Sequence, residues 1–108
     1  MKRFLIASVF VAMPVAPAFG DAAQPTFTKD VAPIFYANCV SCHRPGEIAP
    51  FSLVDYDSAR PWAKSIREAV ITKKMPPWHA DTSKVEYIDA REISQEEIDL
   101  IVAWVDQG

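Results

Sequence analysis

The sequence predicts a small all-α domain. Three observations carry that expectation: apolar residues recur at helical spacing in three separate stretches, a capping box opens the last of them, and no stretch alternates apolar and polar residues as a half-buried strand would. Internal repeats are absent.

The first 20 residues read as an export signal rather than as part of the fold. Lys2 and Arg3 form a positive start, Phe4 to Met13 an apolar run, and Ala16-Pro17-Ala18 or Ala18-Phe19-Gly20 a small-residue cleavage site. Pro14 and Pro17 interrupt the run, which falls short of the ~20 residues of a membrane-spanning helix. The expected product is periplasmic or secreted, with no stable membrane insertion after cleavage. Residues 21–26 form a short leader, and the domain is expected to occupy residues 27–108.

Val31, Ile34, Phe35 and Asn38 recur at i, i+3, i+4 and i+7 and predict a first helix that runs into Cys39. Asp30 is the expected N-cap, which places Pro33 in the first turn where a missing N–H costs little.

The only two cysteines follow, in Cys39-Val40-Ser41-Cys42-His43. Thiols at i and i+3 share one face of a helical turn, and the adjacent imidazole lies beside them; this spacing reads as covalent attachment of a c-type haem with His43 as proximal ligand. Two other readings use the same residues. A thioredoxin-like pair or disulfide wants a strand before Cys39, and the sequence predicts none. A zinc site wants four donors, and beyond Cys39, Cys42 and His43 the chain supplies only His79 and acids with no second knuckle.

Export and haem attachment agree, because thioether formation needs reduced thiols delivered outside the cytoplasm. Cleavage leaves 88 of the 108 residues, a core small enough to need a staple. One covalent haem would supply it, so the chain is expected to fold poorly without the cofactor. The net charge is −3, and −5 once Lys2 and Arg3 are gone, which argues against a nucleic-acid partner. Acids gather after Asp81, whereas Arg60, Lys64, Arg67, Lys73 and Lys74 precede it, an asymmetry able to orient a redox partner.

Arg44 to Pro50 is a loop by its Pro and Gly content, and a carbonyl near Pro45 or Pro50 is the expected acceptor for the second ring nitrogen of His43. Asp55 to Ala59 predicts a short helical turn. Pro61 then opens a longer helix with Trp62, Ile66, Ala69 and Val70 on one stripe, expected to end at Met75 because Pro76 disfavours helical backbone there.

In Lys73-Lys74-Met75-Pro76-Pro77-Trp78-His79, Met75 is the leading distal ligand, since two prolines stiffen the segment that carries its thioether. His79 is the rival, and a bis-histidine haem would have the lower potential. Trp78 is expected to cover the haem or present its indole N–H to a propionate. In the last helix Ser94 and Glu97 form the capping box, and Ile98, Ile101, Val102 and Val105 the buried stripe, flanked by Leu100 and Trp104.

The helix before Cys39-x-x-Cys42-His43, the methionine before proline and the closing helix with Trp104 resemble a class I cytochrome c. The words Cys42 to Pro50, Ala59 to Ala63 and Met75 to Asp81 are similar to the haem module that precedes a copper type II, ascorbate-dependent monooxygenase-like domain or a redoxin in bacterial secreted proteins. The resemblance implies a small helical domain wrapped around one haem c, bound by Cys39, Cys42, His43 and Met75, with Pro50, Trp62 and Trp78 as secondary contacts. It also implies single-electron transfer to redox partner proteins or to a fused catalytic domain. The chain ends at Gly108, directly after the closing helix, so it reads either as a free carrier or as the first module of something longer. An enzyme or sensor with a labile distal ligand is the remaining alternative.

Overall fold

The computed structural model describes residues 24–78 and 80–108; the expected signal segment, the start of the leader and His79 lie outside the described residues. Every regular element among the described residues is helical, as the sequence predicts.

Thr26, not Asp30, caps the first helical stretch. Its extended backbone (φ −108°, ψ 155°) lets its hydroxyl accept the Lys29 N–H at 3.3 Å, while the Asp30 carboxylate accepts the Thr26 N–H at 2.7 Å. Asp30 is thus the inner half of a reciprocal cap. The first turn, Phe27–Val31, is a wide π turn, followed by α1 (Ala32–Asn38). That wide turn ends just before Pro33, which lacks an N–H and whose ring crowds the carbonyl four residues back.

Asp55 caps α2 (Tyr56–Ala59) by accepting the Ser58 N–H at 2.8 Å, and the same bond holds its carboxyl below the usual range. A 3-10 turn, Arg60–Trp62, leads into α3 (Ala63–Ile71). This helix stops four residues before the expected Met75. Lys73 adopts the left-handed conformation (φ 54°), the Lys73 N–H reaches the Val70 carbonyl at 3.1 Å, and the Lys74 N–H reaches Ala69 at 2.9 Å. These bonds form a Schellman closure that satisfies the last carbonyls before Pro76 exerts any constraint.

The capping box of α4 (Gln95–Asp106) is present in both directions, with Glu97 N–H to Ser94 Oγ at 3.2 Å and Ser94 N–H to Glu97 Oε2 at 2.7 Å. This helix packs on α3 and on Phe27–Val31. An Arg67–Asp106 ion pair of 2.7 Å ties it to α3, and the Gln107 side-chain amide donates to the Pro25 carbonyl.

Phe35, Val31 and Ile101 are fully buried at the centre of the core, with Phe27, Ile34, Leu53, Ile66, Val70, Ile98 and Trp104 around them. Two stripes differ from expectation. Trp104 belongs to the core rather than its flank, meeting the Phe35 ring at 6.4 Å and 90°, because the Ile98-Ile101-Trp104 face turns toward the aromatics of the first helix. Trp62 leaves the α3 stripe and stays 42% exposed, because it sits on the preceding 3-10 turn and has a ring partner outside the core.

Candidate functional site

Helical hydrogen bonding continues past the end of α1 and shapes the cysteine motif. Cys39 N–H donates to Phe35 at 2.8 Å, and then Cys42 and His43 N–H both donate to the Cys39 carbonyl, at 3.1 and 2.9 Å. One turn therefore carries both thiols and the imidazole. The loop that follows is stitched back to it by Ala49 N–H to Cys42 O at 3.2 Å and Leu53 N–H to His43 O at 2.9 Å. At the tip Gly46 takes a positive φ of 84°, which a side chain would strain, and Arg44 pairs with Glu47 at 3.1 Å.

His43 Nδ1 lies 3.1 Å from the Phe51 carbonyl oxygen, one residue beyond the Pro50 position expected for its partner. A carbonyl only accepts, so Nδ1 is the donor, and in the neutral ring Nε2 keeps the lone pair a ligand needs. The Phe51 ring lies 4.7 Å from the imidazole and stacks on Trp62 at 4.4 Å and 12°.

These groups open onto a cavity of about 420 Å³, a size suited to a cofactor. Cys39, Cys42 and His43 line one part of it and Met75 with Pro76 another, while Ile66 and Val70 supply apolar surface from α3. Pro50 also lines it, whereas Trp62 and Trp78 do not. Lys74 and Arg91 are its charged lining residues, and no acid joins them among the described residues. Burial first, and the Glu97 carboxylate second, push the Cys39 thiol up to about 11. Both thiols are free, and among the described residues no three His, Cys, Asp or Glu side chains converge to hold a metal ion.

Arg91 is the residue that sequence reasoning missed. Its Nη1 lies 3.7 Å from Cys42 Sγ although 49 positions separate the two, and it lies in a stretch with no periodic signal to place it. Trp78 borders a smaller hollow of about 100 Å³ shared with Arg91, Met75 and Pro76. Its Nε1 is buried with no hydrogen-bond partner among the described residues, and its ring meets Tyr87 edge-on at 5.7 Å.

The donor chemistry suits a covalently bound haem. Two free thiols on one turn, an imidazole with a free Nε2 and a thioether on a separate segment line one apolar cavity, and basic side chains at Lys74 and Arg91 match carboxylate substituents. A small all-α domain with this site is a cytochrome c-type electron-transfer module. The family described as cytochrome c oxidase, cbb3-type, subunit III matches residues 27–105, and the chain belongs to that family. Membership implies covalently bound haem c and action with redox partners. No curated protein and no solved structure matches the chain.

Proposed function

We propose that this protein is an exported monohaem cytochrome c that passes single electrons, with His43 and Met75 as axial ligands. The observation that carries the reading is the shared cavity lined by Cys39, Cys42, His43 and Met75. Cys39 and Cys42 would hold the porphyrin through thioethers, and the bound haem iron supplies one-electron Fe(III)/Fe(II) chemistry. The Phe51 carbonyl fixes the His43 ring through Nδ1 and leaves Nε2 for the ligand role, and the lining around it is mostly apolar. Lys74 and Arg91, which line the cavity, would supply donors for propionate carboxylates, and the buried Trp78 indole N–H beside the adjoining hollow would be a further one.

Residues 1–20 would direct export to the periplasm or beyond, and no helix among the described residues is long and apolar enough to cross a membrane. The electrons would go to a separate redox protein, or to a copper monooxygenase-like or redoxin domain in the same polypeptide. The test is expression with a periplasmic haem-attachment system, followed by a denaturing gel stained for haem. One covalent haem per chain is expected, lost in the Cys39→Ser, Cys42→Ser double variant; a haem-free product would overturn the reading. Met75 is 39% exposed, which favours a labile distal ligand as the second reading. Rapid carbon monoxide binding by the reduced protein at neutral pH would select it.

A further inference from the structure

We propose that Trp62 is a positioning residue for the axial histidine, acting through Phe51 to set the redox equilibrium of the iron. The inference rests on the assignment of His43 as proximal ligand.

The geometry is a three-ring relay with one hydrogen bond in it. Phe51 makes two contacts with His43: its carbonyl accepts the Nδ1–H at 3.1 Å, and its ring lies 4.7 Å from the imidazole, tilted by 50°. Phe51 is only half-buried and sits outside any helix, so its own backbone bonding does not hold it in a regular element. Its ring packs against the edge of the core on one side and is stacked by Trp62, parallel within 12° at 4.4 Å. Trp62 stands on the 3-10 turn Arg60–Trp62, where Pro61 restricts the backbone.

The consequence is chemical as well as steric. A firm Nδ1–H donation makes the imidazole a more basic ligand and favours the oxidised iron. Loosening Phe51 weakens that donation and shifts the equilibrium toward the reduced state. Trp62 does not line the cavity, so its effect reaches the iron through Phe51 and His43.

The test uses holoprotein carrying Trp62→Leu or Trp62→Phe. The Leu variant keeps apolar bulk without a ring, whereas the Phe variant keeps a ring that stacks. Trp62→Leu is expected to raise the reduced-to-oxidised ratio at fixed ambient potential, by at most about tenfold, the ceiling reached if one aromatic stack acts on a single oxidation state, and to speed exchange of the His43 Nδ1–H. Trp62→Phe should restore most of both. Wild-type potential and exchange in Trp62→Leu would overturn the proposal. Exchange of the His43 Nδ1–H in the wild-type holoprotein needs no variant: protection is expected, and exchange as fast as an exposed imidazole would also overturn it. Failure of the ligand assignment is separate, since it would leave the axial-ligand spectrum unchanged in His43→Ala.

Discussion

The Lys74 N–H donates to the Ala69 carbonyl at 2.9 Å, and that bond decides where Met75 stands. The Met75 N–H reaches the same carbonyl at 3.1 Å, so the methionine leaves α3 from a fixed point. Lys73 takes the left-handed conformation, φ 54°, to make this possible. Lys73→Gly is therefore expected to stabilise the holoprotein by about 1 kcal/mol, and Lys73→Val to destabilise it by at least as much. Denaturant unfolding followed by circular dichroism reads both.

Met75 and His79 are separated as ligands by their variants. Met75→Ala should abolish the weak red thioether-to-iron absorption band and lower the potential, because a soft sulfur donor favours the reduced iron. His79→Ala should leave both nearly unchanged. The opposite pattern assigns the distal position to the histidine.

Trp78 carries a buried indole N–H with no partner among the described residues. Deleting a donor that serves nothing is neutral or stabilising, whereas deleting one that serves a carboxylate costs about 1.5–3 kcal/mol. Trp78→Phe should lower holoprotein stability by an amount in that range. Unchanged stability would detach the indole from the propionate.

Removal of the cofactor leaves an apolar cavity of about 420 Å³ between the cysteine turn, α3 and the Met75 segment. Apolar lining without contact partners is costly, by about 24 cal/mol per Å³ in cores that do not relax. The chain made without haem should show weaker helical dichroism and should bind a hydrophobic dye. A cooperative, native-like melt of the haem-free chain would show that the cofactor is not the staple of the core.

Ser94 caps α4 outside the cavity lining. Ser94→Ala is expected to cost about 1 kcal/mol, read as a lower thermal midpoint of the holoprotein. Glu97→Gln should cost less, since an amide oxygen can still accept the Ser94 N–H that Glu97 now accepts at 2.7 Å.

Local rules account for what was legible. Helix class, the capping box at Ser94 and Glu97, the short helical turn after Asp55 and the turn holding Cys39, Cys42 and His43 all depend on residues within five positions of one another. Spacing encodes such contacts directly. The end of α3 lies earlier than the sequence predicts because Pro76 is a visible signal, whereas a lysine adopting a left-handed backbone is not. Thr26 is not legible as the cap because Asp30 is the better cap by type, and only the backbone shows which residue is extended.

The sequence by itself determined an all-α chain with one thiol-thiol-imidazole turn, through periodicities and spacings that operate within a helix or two. Tertiary structure decided which distant groups meet that turn. It brought Arg91 to Cys42, Met75 to the same cavity, and Trp62 by way of Phe51 to His43. The reason is physical: these meetings arise from packing between segments about ten to fifty residues apart, where hydrophobic burial selects the arrangement and helical spacing does not record it.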